Sequence, residues 1–350
     1  PMSESLAESL QQFERKIPSN GVRFITPKHR QLDIAFTKPQ KVFGGGFVAK
    51  RIDFDHFFFS ETAKQPDIFI FQDQKIVSVA NAQDKIIIQS ASVSFEASML
   101  LAADGAHSFL NKKLTENVVE KEHFCAGVRQ YYSNVKDFHP ENHIELHFYK
   151  DILPGYLWIF PLPGNQANVG LGMLSSVVSK KKMNLKAEMA KLLATEPNLR
   201  ERFKEAVPLT NVEGFGLPLG SKKRTISGNR FLLLGDAAGL IDPFTGEGIA
   251  NSIRSGRIAA THVLSSFREN KFGAAFNADY DKEIYQKMWN EFRFGHTLQQ
   301  LFRYPAIINF VVRKANNNKS VQTLLSSMLN NMDLKKELVK PSFYFRLFFT

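Results

Sequence analysis

Gly235 and Asp236 end a short apolar run, and a Pro- and Gly-rich turn follows before a helical pattern opens near Gly246 (LLLGDAAGLIDPFTGEGIANSIRSGRIAA, residues 232–260). Strand, glycine turn and helix start together present backbone N–H groups and a positive helix end to an anionic ligand. An acidic side chain at the strand's end suits a sugar hydroxyl better than a phosphate. Asp236 is therefore the first candidate ligand residue. Gly235, Gly246, Gly248 and Ile249 supply the turn and the N–H groups, and Pro243 with Phe244 borders them. Glu247 reads as a solvated carboxylate at the helix start.

Two further segments carry chemistry. LLAADGAHSFL (residues 100–110) is an apolar strand ending at Asp104-Gly105, with Ser108 beyond. LPGYLWIFPLPGNQANVGLG (residues 153–172) places Tyr156, Trp158 and Phe160 at period two, so all three share one strand face. Pro161 and the Gly170/Gly172 pair follow, and let chain and ligand approach closely.

These three segments, in this order, resemble the FAD-dependent oxidoreductases of the geranylgeranyl reductase family, within the superfamily of p-hydroxybenzoate hydroxylase. The first resembles the family's GD motif, the second its DG motif, and the third its Y-x-W-x-F-P…G-x-G signature. Three positions depart from the pattern: Ala102 where Gly is common, Asn111 where Arg is common, and Leu162 where Lys is common. The resemblance implies that Asp236 holds the ribityl chain and that Gly246, Gly248 and Ile249 face the flavin pyrimidine end. It places Asp104 and Gly105 near the pyrophosphate. Arg51, in RIDFDHF, approaches the cofactor from a helix, and Ile76 meets the adenine through its backbone. Tyr156, Trp158, Phe160, Pro161, Gly170 and Gly172 form the substrate pocket. No residue is singled out as the catalytic acid, and no metal is expected.

The fold implied is α/β with mixed α+β character. A three-layer FAD/NAD(P)-binding domain, incomplete at its N-terminus, is interleaved with a mixed β-sheet substrate domain. The expected boundaries are a helical lead-in at 1–21, a substrate sheet from 22–50 and 123–215, FAD-side pieces at 51–122 and 216–275, and a helical region at 276–350. Residues 67–71 and 74–79 read as a strand pair. The G-x-G-x-x-G unit that binds the ADP half of FAD in such proteins is not in this sequence. Gly44-Gly45-Gly46 reads instead as a loop between strands. The expectation is that the N-terminal part of the FAD domain lies outside the sequence, and that the 350 residues alone bind FAD weakly or not at all.

Composition narrows the function. The 350 residues contain one cysteine, Cys125, which excludes an internal disulfide and reads as a buried thiol. No apolar run approaches the ~20 residues that span a bilayer. The formal charge is +11, with clusters at Lys180–Lys182 and Lys222–Arg224. No nucleic-acid signature accompanies them, so nucleic acid is set aside. The 32 phenylalanines and the basic, aromatic tail KPSFYFRLFFT suit contact with a membrane surface or a docked tail. His143, Glu145 and His147 alternate on a strand, which does not match the helical H-E-x-x-H spacing, and read as solvated or pocket-lining. Arg129 and Tyr131 sit where the chain crosses between domains.

The leading expectation is an oxidoreductase reducing carbon–carbon double bonds of isoprenoid chains by hydride transfer from reduced flavin. NAD(P)H or another reductant is the electron donor, and the expected partner is a prenyl lipid. The expected place is the cytoplasm, peripheral at the inner face of the membrane. Two alternatives stay open. A flavin monooxygenase or halogenase of the same superfamily usually has His after GDAA, where Gly239 stands. An inactive lipid-binding fragment would lack the visible absorption of bound flavin.

Overall fold

The computed structural model describes residues 4–36, 46–318 and 322. The tail expected to touch a membrane or the protein, Gly44-Gly45 and the helical region expected beyond 318 lie outside the described residues.

An eight-stranded mixed sheet occupies the middle of the chain. Val207–Pro208 and Glu213–Pro218 both pair with Phe124–Ser133. From there the order runs through Gln166–Leu174, Tyr156–Leu162, Ile144–His147, Gly21–Ile25 and Gln31–Ala35. Among the described residues of this sheet, the one parallel pair is Ile144–His147 with Gly21–Ile25. Alternation divides the two faces. Leu157, Ile159, Val169, Leu171, Met173 and Val128 point into a core closed by the helices Leu185–Thr195 and Pro197–Phe203. Leu157, Ile159, Val169, Leu171 and Met173 are fully buried, at about 1.5–3 kcal/mol of transfer free energy for each such side chain. Tyr156, Trp158 and Phe160 face the other way.

A ribbon, Lys16–Ser19 with Gly46–Ala49, pairs antiparallel and touches the Tyr156–Leu162 strand. The amphipathic lead-in helix ends at Gln11, and Ile17 belongs to the ribbon rather than to that helix. The structure gives no strand over 67–71; strand Ile76–Asn81 pairs instead with Ile86–Ser90, which pairs with Ser94–Ala97. The 67–71 run alternates like a strand, but Phe69 is 82% exposed and has no sheet neighbour. Helices Leu185–Thr195 and Pro197–Phe203 are separate, because Pro197 lacks the N–H that would continue the first helix.

The second core lies between a small sheet and two long helices. Leu100–Ala102 pairs parallel with Phe231–Leu233, which pairs antiparallel with Ser227–Gly228. Leu232, Leu233, Ala102, Ile258, Tyr280, Ile284 and Met288 form one buried cluster. Tyr280, Ile284 and Met288 sit on helix Ala274–Leu301 and Ile258 on helix Ile249–Glu269. Helix Pro305–Asn317 then packs on the far edge of the large sheet, through Val312 and Ala315 against Val22, Leu32 and Ile34.

Candidate active site

The chain leaves strand Phe231–Leu233 through a turn that only glycine can make. Gly235 has φ +53°, and a Cβ there would stand 2.4 Å from Ser252 Oγ. Its N–H donates to Ser255 Oγ at 3.0 Å. Asp236 follows, half-buried, and desolvation raises its pKa, while the Arg51 charge nearby opposes the rise. Its carboxylate leans on the helix start: a Cβ on Gly248 would lie 2.9 Å from Asp236 Oδ1. Among the described residues nothing donates a hydrogen bond to that carboxylate. A desolvated acceptor without a donor is costly, and a ligand hydroxyl would satisfy it.

The loop between Asp236 and the helix is tied to Asp242. Asp242 Oδ1 accepts from the N–H of Phe244 at 3.0 Å, the N–H of Thr245 at 2.8 Å and Thr245 Oγ1 at 3.0 Å. The Gly246 N–H donates to the Asp242 carbonyl at 3.0 Å, and the Asp242 N–H to the Glu247 carbonyl at 2.9 Å. Glu247 Oε1 accepts from the Ala250 N–H at 2.6 Å, so this carboxylate caps the helix. The helix Ile249–Glu269 thus starts with its first-turn amides, Gly248 and Ile249 included, turned toward the loop.

The DG segment locks onto this turn. Asp104 accepts from Ser108 Oγ at 2.5 Å and from the Leu110 N–H at 3.0 Å. Ser108 caps the helix Phe109–Leu114, and Gly105 has φ +79°. Asn111, standing where the family commonly has Arg, donates from Nδ2 to the Ala237 carbonyl at 2.8 Å. A cleft between the two motifs is lined by Ser108, Asn111, Lys112, Arg224, Asp236 and Gly239. Arg51 begins the helix Arg51–Ala63, near enough to act on Asp236, and pairs with Asp55 at 3.0 Å. Ile76 lies farther off, opposite Ser90, and packs on the core of the small sheet.

The aromatic strand faces this loop at one end. The Tyr156 hydroxyl donates to the Thr245 carbonyl, and burial pushes the Tyr156 pKa far up, so the phenol stays neutral. The rings of Tyr156 and Trp158 are 6.2 Å apart, and those of Trp158 and Phe160 6.3 Å. Gly170 serves Trp158 directly. A Cβ on Gly170 would stand 2.1 Å from Trp158 Cζ2, so the indole lies flat on the glycine. Trp158 Nε1 donates to Asn168 Oδ1 at 3.2 Å. On Gly172 a Cβ would meet Trp158 at 3.5 Å, an ordinary contact. Pro161 is buried at the strand's end. In register beyond Gly170 lies Arg129, stacked on Phe215 at 4.6 Å and on Tyr131 at 5.2 Å and paired with Glu213 at 3.1 Å.

The other polar strand positions do something different from what their spacing suggested. Glu145 and His147 are neither solvated nor pocket-lining; both are about 1% exposed, on the face opposite Tyr156. Arg202 clamps Glu145 at 2.7 and 2.9 Å, and His147 Nε2 lies 2.9 Å from it. These partners hold the Glu145 pKa down at about 2, against a desolvation that alone would raise it. His143 is buried on the opposite parity from Leu146 and stacks on His139 at 3.6 Å beside Asp33. Arg23 holds both Asp33 oxygens at 2.7 and 2.8 Å, and His139 Nδ1 accepts from the Glu141 N–H at 3.1 Å, while both His143 ring nitrogens are buried without a hydrogen-bond partner. Burial raises the Cys125 thiol to about 12, as a structural cysteine requires.

Sequence reasoning missed the role of the long helix Ala274–Leu301. Gln299 Nε2 donates to the Pro243 carbonyl at 2.6 Å. Gly295 passes so close that its Cβ would lie 3.2 Å from Asp242 Oδ2. A lone glycine and an amide inside a helical pattern gave no signal of this contact.

The arrangement has known counterparts. Residues 124–209 match the family model of the geranylgeranyl reductase catalytic domain. A digeranylgeranylglycerophospholipid reductase of Methanococcus aeolicus is 30% identical over 264 residues, which cover 66% of this chain and 63% of the relative. A menaquinone reductase of Mycobacterium tuberculosis is 33% identical over 165 residues, 46% of this chain and 40% of that protein. The chain thus spans between two fifths and two thirds of the length of these relatives. A geranylgeranyl bacteriochlorophyll reductase-like protein from Thermoplasma acidophilum superposes with a TM-score of 0.76 at 21% identity, over 92% of this chain and 82% of that one. Residues 124–209 are thus similar to a geranylgeranyl reductase catalytic domain, and the chain shares the fold of the geranylgeranyl bacteriochlorophyll reductase-like protein.

Proposed function

We propose that this chain binds FAD and reduces carbon–carbon double bonds of an isoprenoid chain. The observation that carries the reading is the Asp236 carboxylate, desolvated, without a donor among the described residues, and set against a helix start. That donor set fits a polyhydroxylated, anionic ligand such as FAD. Asp236 accepts hydroxyls of the ribityl chain. The amides of Gly248 and Ile249 would stabilise negative charge at the pyrimidine end, whereas the Gly246 N–H is held by the Asp242 carbonyl. Arg51 adds a positive charge beside them, and Asp104 with Gly105 shapes the backbone near the pyrophosphate. When bound, the flavin supplies the hydride; the protein supplies position and electrostatics. Pro243 and Phe244 border the reaction face.

An alkene without an electron-withdrawing neighbour needs close approach and a dry surrounding. Tyr156, Trp158 and Phe160 hold the isoprenoid by burial, at about 0.8 kcal/mol per CH₂. Tyr156 also joins this wall to the flavin loop through Thr245. Relatives named for a prenylated phospholipid and for menaquinone support a prenyl-lipid substrate. NAD(P)H or another reductant restores the reduced flavin. Among the described residues no helix is long and apolar enough to cross a membrane; contact with the inner face of the membrane, favoured by the chain's formal net charge of +11, gives access to a lipid substrate.

Titration with FAD, followed by flavin fluorescence, tests the reading. Asp236→Ala is expected to weaken binding by roughly tenfold or more, the loss of about one charge-assisted hydrogen bond. Equal affinity in the two proteins would remove Asp236 from the site.

A further inference from the structure

The loop Asp242–Glu247 carries no regular structure, yet three successive turns of one helix and the residue just past its end line up behind it. Glu291 pairs with Arg254 at 2.9 Å. Arg254 in turn donates to Asn251 Oδ1 at 3.3 Å, and Asn251 Nδ2 donates to the Leu240 carbonyl at 2.9 Å. One turn on, Gly295 lies against Asp242 and Pro243. The next turn presents Gln299. Just past the helix end, Phe302 meets the Phe244 ring at 4.8 Å, edge to face, and also packs on Phe148 of the substrate sheet at 5.5 Å. These positions recur at helical spacing, so one stripe of the helix is shaped to this loop.

Gln299 is the centre of the stripe. It is 4% exposed, and its Nε2 donates to the Pro243 carbonyl at 2.6 Å. Pro243 has no N–H, so its carbonyl is its sole backbone hydrogen-bonding group. The loop's other bonds radiate locally from Asp242, apart from the Tyr156 hydroxyl, which donates to the Thr245 carbonyl from the aromatic strand. The Gln299 amide ties the Pro243 carbonyl at the loop crest to the long helix on the other side. Its Oε1 is buried without a partner. A side chain kept in that state is retained for what its other end does.

We propose that Gln299 is a positioning residue for the flavin-facing loop: through the Pro243 carbonyl it fixes the Pro243–Phe244 crest and the amides of the helix start behind it. The assignment of that loop to flavin rests on the reading given above; the positioning itself does not. Because Phe302 touches both Phe244 and Phe148, the same stripe also sets the loop's place relative to the aromatic wall.

Amide hydrogen exchange on the full chain without added FAD tests this. Gln299→Met keeps the shape and removes the donor; Gln299→Glu keeps the shape and turns an acceptor toward the carbonyl. Both are expected to speed exchange at the Asp242, Phe244, Thr245 and Gly246 amides about tenfold, the scale of one hydrogen bond. Met288→Ala, a fully buried position two turns or more away on the same helix, is the structural control. It is expected to lower the melting temperature and leave those four amides at their wild-type local rates. In FAD titrations the two Gln299 variants should also bind about tenfold more weakly than wild type, on the same scale. Unchanged loop exchange in both Gln299 variants would overturn the proposal, and so would equal acceleration in Met288→Ala. Wild-type FAD affinity in both Gln299 variants with the loop exchange accelerated would instead count against the flavin assignment of the loop, while the exchange result still decides the role of Gln299.

Discussion

At the scale of single residues, Gly170 shows most clearly what packing demands. Its Cβ position is taken by the Trp158 ring at 2.1 Å. Gly170→Ala is therefore expected to destabilise by about 1–3 kcal/mol through overpacking, and to shift the Trp158 fluorescence. Gly172→Ala, with 3.5 Å of clearance, is expected to change both far less. Equal denaturation midpoints for the two variants would contradict this. Acid sensitivity belongs to Glu145 and His147. Glu145 has a folded pKa near 2, below its ordinary value of 4.5, so its stabilisation is full above about 4.5 and is lost as pH falls toward 2. His147 is held neutral, its pKa lowered by burial, so folding loses stability as pH falls below about 6.5, where the unfolded imidazole takes a proton. Urea midpoints should fall from pH 7 to pH 4, and His147→Gln should flatten the upper part of that slope. A flat wild-type profile would contradict the assignment. The shared face of Tyr156, Trp158 and Phe160 was legible from period two alone. The burial of Glu145 and His147 was not, because their partner Arg202 lies on a helix fifty-odd residues away, and alternation does not say which face is wet.

Elements carry the loop chemistry. Asp242 organises the turn before helix Ile249–Glu269 by accepting three hydrogen bonds on one oxygen. Asp242→Asn retains that oxygen and is expected to cost FAD affinity less than threefold, whereas Asp242→Ala removes it and should cost tenfold or more, as three bonds of roughly 0.5–1.5 kcal/mol would. Matching affinities for the two variants would show that the turn holds itself. The start of this helix was readable from glycines and the following apolar repeat, and so was the strand before it. The lead-in helix was read too long, since Ile17 continues its spacing but pairs with Val48 in a ribbon. Residues 67–71 alternate without a neighbour to pair with, and a strand exists only with a partner. The support from helix Ala274–Leu301 was invisible, because Gly295 and Gln299 are ordinary helix residues until the loop they touch is known.

The whole molecule joins a wall to a turn. Helix Arg51–Ala63 has no buried residue, and Ile52, Phe69, Val118 and Val119 are exposed. The order of the three motifs made the joining of these elements readable, since segments far apart in sequence must meet at one cofactor. Which faces stay open was not readable, because exposure depends on what packs beside each element. The central claim is that Asp236 and the aromatic strand serve one reaction. Its most direct measurement is an anaerobic incubation of the chain with excess chemically reduced FAD and geranylgeranyl diphosphate, with the product weighed by mass spectrometry. The account expects products heavier by two hydrogens for each double bond reduced, strongly diminished in Asp236→Ala and in Trp158→Ala. Bound, reduced flavin with a substrate of unchanged mass, or equal product from wild type and both variants, would contradict it.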